Sequence, residues 1–553
     1  MTGDRAINLI IYAVVALCLL PLGAAVVAAV LSDSEILQHL IDTVLPTFMW
    51  NTFLLVMIVA LGTGIIGTGV AWLVTAYRFR GVGALEVLLA LPLAFPAYVM
   101  AYAYTDALDH PGIVQATLRD VMGWGPRDYW FPEIRSLGGA AAMLIIVLYP
   151  YVYLLARAAF RQQSASAYLA ARTLGQGPMQ AFVRVALPMA RPAIAGGMLL
   201  AVMETIADYG TVAYFSVRTF STGIYQAWFA MADRGAAAQL AVCLLSFALL
   251  LVALERIERG RARVSGSGAR FVDTTRVTLT GPAEWFAIAF CALPVLLGFV
   301  FPVVILVNLA AHATELFISD RYWGFMTNSL TLASVAAVVT VLGAVLISYR
   351  ARTRPGRKSR ALVLGASIGY AVPGGVIAVG LLVPFAAFDN ALDAWMRENF
   401  GIRTGLLVTG SIWLLVIAYM GRFMAAALTT YDSGLETLPR SIDAAARTLG
   451  RGAWGVVARV QVPAVWGSAL TALLIVFVDV MKELPATLIL RPFNMDTLAV
   501  QAHRLAADER LEAAAVPSLV IVAFGLLPVI LVCRSLGQER KTKALAPAPQ
   551  PAM

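Results

Sequence analysis

Four acidic residues stand where a lipid-embedded chain can least easily hold them. Glu204 and Asp208 lie four residues apart inside the apolar run that begins near residue 188, and Asp479 and Glu483 repeat that spacing inside the run that begins near residue 464. An acid at the centre of a membrane helix costs about 2.5–3.5 kcal/mol on insertion scales. On a continuous helix, positions i and i+4 share a face. Four acids meeting across a central seam would line a translocation path better suited to a cation than to an oxyanion. The competing reading has them satisfied locally, with Lys482 pairing one and the rest near the headgroups. Other chemistry is sparse. Only four His occur, and Cys18, Cys243, Cys291 and Cys533 sit singly in apolar runs, as small buried hydrophobes do. No nucleophile–base set is visible, so no catalytic residue, resident metal or bound cofactor is expected. None of the lysines (Lys358, Lys482, Lys541, Lys543) follows a glycine, so the phosphate-binding G-x-x-x-x-G-K-[ST] loop cannot be written.

The elements that must position these acids are set by the solvent. Hydrophobic residues make up 60% of the 553 and charged residues 13%, against about 25% charged in a soluble domain. The surroundings are therefore lipid. Counting apolar runs long enough to cross (about 17–25 residues) predicts an all-α polytopic protein. Six spans fall near 7–31, 50–77, 85–107, 138–160, 188–215 and 236–254, and six more near 284–310, 326–349, 361–388, 404–428, 464–490 and 513–533. The net charge of +9 collects in alternate loops, which is a topology signal and not a nucleic-acid footprint. Arg78 and Arg80 follow the second span, five arginines from Arg157 to Arg191 surround the loop after the fourth, and "RARTRPGRKSR" follows the eighth. Loops after the third and ninth spans are acidic. Both termini and both arginine-rich repeated segments are accordingly expected on the cytoplasmic side. The run from Ile7 to Leu31 exceeds the roughly 7–15 residues of a signal-peptide core and is read as a helix.

One line is written twice. "AARTLGQGPMQAFVRVALP" runs from Ala170 to Pro188, and "AARTLGRGAWGVVARVQVP" from Ala445 to Pro463. Asn51 answers Asn328, Pro96 answers Pro373, Gln226 answers Gln501, and Asp233 answers Asp508. Six spans per half is an even number, so both halves enter the membrane the same way up, a parallel duplication. This gives a first half over 1–255 with a loop near 162–188, a flexible Gly/Ser-containing linker over 256–280, a second half over 281–537 with a loop near 432–463, and a disordered tail over 538–553. In each repeated line a short Ala-rich helix is expected, with Ser166 or Ser441 as its N-cap and Gly175 or Gly450 as its C-terminal turn. Pro188 or Pro463 then opens the next span. The spacing from Gly to Pro is thirteen residues in both, as a socket would require and a lipid cushion would not.

This pattern resembles the cytoplasmic signature of binding-protein-dependent ABC importer permeases: E-A-A, three residues, G, nine residues, I-x-L-P. The resemblance rests on Ala170, Ala171, Gly175, Val185, Leu187 and Pro188, and on Ala445, Ala446, Gly450, Val460, Val462 and Pro463. Leu169 and Ala444 stand where the glutamate should be. The resemblance covers nearly the whole chain and implies the type I importer permease fold. It further implies that Ala170, Ala171, Arg172, Gly175 and Pro188, with Ala445, Ala446, Arg447, Gly450 and Pro463, dock two copies of an ATPase subunit. That partner would use ATP and Mg, and a periplasmic binding protein would deliver the cargo. "METIADYGTVAYF" and "DVMKELPATLILRPFNMDTLAVQAHRLAADERLEAA" look like the matching segments of fused iron(III)-importing permeases, with fused thiamine and phosphonate permeases as near rivals. An ion-coupled carrier would share twelve spans in parallel halves but has no need of the repeated loop.

Overall fold

The computed structural model describes residues 2–32, 34–162, 171–262, 276–313 and 319–545. Within them ten helices are long and apolar enough to cross a membrane, or twelve if each of two bent helix pairs is one span. Counted that way, the spans are Arg5–Leu31, Leu45–Ala76, Val82–Ala94 with Ala97–Met122, Leu137–Arg161, Pro178–Ala207, Arg234–Leu251, Pro282–Ala311, Asp320–Thr353, Gly374–Phe400, Ile412–Glu436, Ala453–Ala464 with Trp466–Met481, and Leu511–Leu531. They are numbered one to twelve below. Among the described residues the fold is all-α apart from a parallel pairing of Tyr77–Arg78 with Val277–Thr278.

Spans two, four and five pack mutually, and spans eight, ten and eleven do the same. With lipid on the outside there is no hydrophobic drive between helices, so small residues that admit a neighbouring backbone do the joining. A Cβ at Gly67 would come within 2.6 Å of Val152 Cβ, and one at Gly197 within 2.6 Å of Val152 Cα. The outermost spans are exchanged. Span one packs against spans nine and ten of the other half as well as span six; a Cβ at Gly380 would run into the Pro21 carbonyl. Span seven in turn lies on the first half: Tyr104 Oη donates to the Leu297 carbonyl at 2.7 Å, and a Cβ at Gly298 would meet Pro92 at 2.7 Å.

The paired landmarks of the sequence take up equivalent structures. Pro96 and Pro373 each follow a 3-10 turn (Leu91–Ala94 and Ile368–Ala371) and are extended, with φ −66 ψ 140 and φ −56 ψ 142. Proline removes a donor and drives the preceding residue out of helical geometry. The third span accordingly bends by 94° there. Asn51 Nδ2 donates to the Arg218 carbonyl at 2.9 Å and Asn328 Nδ2 to the Asp496 carbonyl at 3.2 Å. The neighbouring residues repeat the match: the Phe220 N–H donates to Thr52 Oγ1 at 3.3 Å, and the Leu498 N–H to Ser329 Oγ at 2.8 Å. In both halves the start of the second helix thus holds the segment that follows the fifth.

Two stretches differ from the sequence reading. The segment expected to be a free linker is helical up to Ala262, and at its other end Val277–Thr278 pairs with Tyr77–Arg78. Arg276 and Arg157 both bond the buried Glu86 carboxylate at 2.8 Å, so charge pairing as well as backbone pairing fixes that end. The last helix runs on to Leu545, through the first half of the segment expected as a tail. Residues 263–275 and 546–553 lie outside the described residues, as do Ser166, Leu169 and Ala170.

Candidate functional sites

The apolar pattern carries through residues 204–214 and 479–490, yet the helix stops inside each stretch. In the first it ends at Ala207 and a short helix, Gly210–Tyr214, follows. In the second it ends at Met481 and Pro485–Leu490 follows. The first helical turn after such a break has unpaired N–H groups, and the acids meet them. Asp208 accepts from the Thr211 and Val212 N–H groups at 3.1 and 3.2 Å and from Thr211 Oγ1 at 2.9 Å. Glu483 accepts from the Ala486 and Thr487 N–H groups at 2.9 and 3.1 Å and from Thr487 Oγ1 at 2.7 Å. The i, i+4 pairs are therefore split between a helix and the cap of the next one. Each pair does not share one continuous helix, and this corrects the single-face reading.

All four acids nevertheless border one cavity of about 130 Å³, together with Tyr98, Tyr151, Tyr209, Tyr370, Arg422 and Lys482. Lys482 Nζ sits 2.9 Å from Asp479 Oδ1, and Arg422 NH1 3.2 Å from Glu483 Oε1. Glu204 and Tyr370 line the same cavity. Arg422 escaped the sequence survey, although it carries the same signal as the acids, a charge in mid-span. Among the described residues no group of three or more His, Cys, Asp or Glu is close enough to hold a metal ion. The cavity is thus a polar chamber with four carboxylates and two cations.

Above Asp208 and Glu483 the halves are joined by aromatics. Tyr98 Oη donates to the Lys482 carbonyl at 3.4 Å, Tyr225 Oη to the Pro485 carbonyl, and Tyr209 stacks on Tyr225 with centroids 3.7 Å apart. Tyr102 Oη lies 2.9 Å from His503 Nδ1. A second connection runs between the loops after spans three and eleven, where Arg135 makes two bonds to Glu509, at 2.8 and 3.1 Å, and one to Asp109 at 3.1 Å. Burial holds the His503 pKa down at about 4, against an ordinary value near 6.5. The folded state then binds fewer protons than the unfolded one between those values, so stability is complete above pH 6.5 and is lost as pH falls towards 4. We expect the purified protein to lose about 2–3 kcal/mol from this group between pH 7 and 4.5. The thermal midpoint of His503→Gln should fall less over that interval; parallel curves would remove His503 as the cause.

The repeated lines fold alike where they are described. Gly175 and Gly450 have φ +86 and +80. The Gly175 N–H reaches the Arg172 carbonyl and the Gln176 N–H the Ala171 carbonyl, both at 3.1 Å, while Gly450 and Arg451 repeat the pattern on Arg447 and Ala446 at 3.0 and 3.1 Å. These are the paired bonds of a Schellman turn, which needs a left-handed residue and so favours glycine. Leu174 and Leu449, immediately before the glycines, are each 83% exposed. Ala171 and Ala446 are buried. Arg172 bonds the Gln176 carbonyl at 2.7 Å, and Arg447 bonds Tyr349 Oη at 3.1 Å; both arginines are thus engaged within the chain. The second helix begins at Arg440 after Pro439, one residue before the serine expected to cap it. Asp443 secures it: Arg352 Nε donates to its carboxylate at 2.5 Å and Gln461 Nε2 at 3.0 Å. A single π-helical turn follows in each copy, Phe182–Ala186 and Val457–Gln461, immediately before the Leu187-Pro188 and Val462-Pro463 pairs. Proline has no N–H to give the preceding turn, and a widened turn is one way to accommodate that.

The chain is thus a polytopic bundle with paired broken helices around a charged chamber and with paired exposed turns. Residues 343–538, in the second half, match the family described as the binding-protein-dependent transport system inner membrane component, which together with the apolar helices supports a multi-pass inner-membrane protein. The chain is 26% identical over 486 residues to the Fe(3+)-transport system permease protein FbpB 2 of Haemophilus influenzae, covering 87% of this chain and 88% of that one. The putative ferric transport system permease protein FbpB 1 of the same organism is 23% identical over 481 residues, with 83% and 72% covered. The thiamine transport system permease protein ThiP of Brucella abortus is 26% identical over 323 residues, covering 57% and 58%.

Proposed function

We propose that this chain is the membrane permease of an ATP-driven importer that moves iron(III), delivered by a periplasmic binding protein, across the inner membrane by alternating access. The observation that carries the reading is the similarity to ferric permeases along 87% of the chain; thiamine permeases match only 57%. Two further features support it. The exposed Leu174 and Leu449, each held out by a glycine turn, offer matched apolar knobs for two ATPase subunits on the cytoplasmic side, where both termini also lie. Ala170, Ala171, Arg172, Gly175 and Pro188, with Ala445, Ala446, Arg447, Gly450 and Pro463, are the residues we assign to that docking. The chamber bordered by Glu204, Asp208, Asp479 and Glu483 suits a cation passing between the halves. ATP binding would draw the two docking loops together and open the chamber outward, and hydrolysis would reset it.

The test is uptake of radiolabelled iron(III) into proteoliposomes holding the permease, its ATPase and its binding protein, with thiamine and phosphonate as parallel cargoes. Iron uptake that needs both ATP and the binding protein is the expected result. Uptake of thiamine or phosphonate in place of iron would overturn the cargo, and uptake without ATP would overturn the motor.

A further inference from the structure

The four chamber acids are not equivalent. Asp208 and Glu483 have their oxygens occupied by the N–H and hydroxyl groups of the next helix, and the Glu483–Arg422 pair is closed in, with side chains 2% and 13% exposed. Both are parts of the broken-helix architecture. Glu204 and Asp479 occupy equivalent positions in the two halves, 275 residues apart, and among the described residues the ion pair found at them is that of Asp479 with Lys482, Arg422 being paired with Glu483. Lys482 bridges to Asp479, with side chains 30% and 23% exposed, and it lines the same cavity as Glu204. The residue equivalent to Lys482 in the first half is Ala207, which also borders the chamber. These two carboxylates and a single ammonium therefore line the chamber, together with Tyr151 and Tyr370.

From this arrangement we infer that Lys482 is a specificity-determining residue: its ammonium is a tethered stand-in for the cargo, seated at the Glu204–Asp479 pair, and a passing cation displaces it. The inference rests on the chamber being the cation path. Lysine suits the part because it is a compact charge on a flexible stem, whereas Arg422 presents a planar fork already committed to Glu483. Carboxylate and hydroxyl oxygens favour hard multivalent cations. A resident competitor lets such a cation enter without being trapped, since conduction needs sites weak enough to leave. The ammonium raises the threshold for monovalent ions, which gain less from the two carboxylates.

Terbium(III), a hard trivalent ion whose emission is excited through nearby tyrosines, reads this directly in the purified full-length chain. Lys482→Met should bind terbium about tenfold or more tightly than wild type, because a unit charge beside a multivalent cation has been removed. Lys482→Arg should stay close to wild type, and Glu204→Gln added to Lys482→Met should cancel the gain. Equal affinities for wild type and Lys482→Met, or a gain that survives Glu204→Gln, would overturn the inference. A second measurement needs no variant. Terbium should release the Lys482 amine and speed its acylation relative to Lys358, and an unchanged ratio would equally overturn it. Neither readout involves transport, so a chain that fails iron uptake yet shows both effects loses the iron reading and keeps this one.

Discussion

Replacing Glu483 with leucine is expected to destabilise the protein by about 3–5 kcal/mol, the range for breaking a buried ion pair by removing one partner. The side chain is 2% exposed and faces Arg422 at 3.2 Å. Its loss strands a guanidinium in low dielectric and also uncovers the N–H groups of Ala486 and Thr487. The double replacement Arg422→Met with Glu483→Leu should recover most of the loss, because apolar substitution of a whole buried pair is often close to neutral. What remains is the lost cap, about 1 kcal/mol. Asp208→Ala, which removes a cap that pairs with no cation among the described residues, should cost only that smaller amount. Thermal midpoints in detergent check all three. A Glu483→Leu protein as stable as wild type would show that the pair contributes nothing to holding the break.

The second large effect concerns the repeated turns. Glutamate at Gly175 and Gly450 meets open space, since a Cβ there has nothing within 4 Å. It must nevertheless adopt the left-handed conformation, at about 1–2 kcal/mol per site. That strain is local, so the chain should still insert and fold. The consequence falls on the turn beside Leu174 and Leu449, the proposed contact with the ATPase. Uptake should fall about tenfold for each 1.4 kcal/mol of docking energy lost, while ATP hydrolysis by the partner continues uncoupled from it. Normal uptake in both single variants would argue heavily against the docking assignment.

How far the sequence could be read depended on which force acted at each place. Hydropathy located the spans because lipid demands long apolar runs, and the offsets of Asn51 with Asn328 and Pro96 with Pro373 marked positions whose hydrogen bonds and backbone angles match. The breaks after Ala207 and Met481 were hidden because the residues on both sides are apolar, so periodicity runs straight through. A local cue existed: an acid three residues before Thr211, and Pro485 two residues after Glu483, are helix-start signals. Arg447 bonds Tyr349, a contact across 98 residues that no local pattern encodes. The exchange of spans one and seven left only glycines such as Gly380 and Gly298 as its trace, and their meaning depends on the neighbour.

That exchange imposes an order on how the protein comes into being. Arg5–Leu31 leaves the ribosome well before Gly374–Phe400, yet its resting place includes that helix, more than 300 residues later in translation. At ~5–20 residues per second the delay is on the order of half a minute. Through that interval the opening helix must wait in the bilayer with its glycine-cut seat not yet synthesised, and the first half cannot reach its final form until the second has been made.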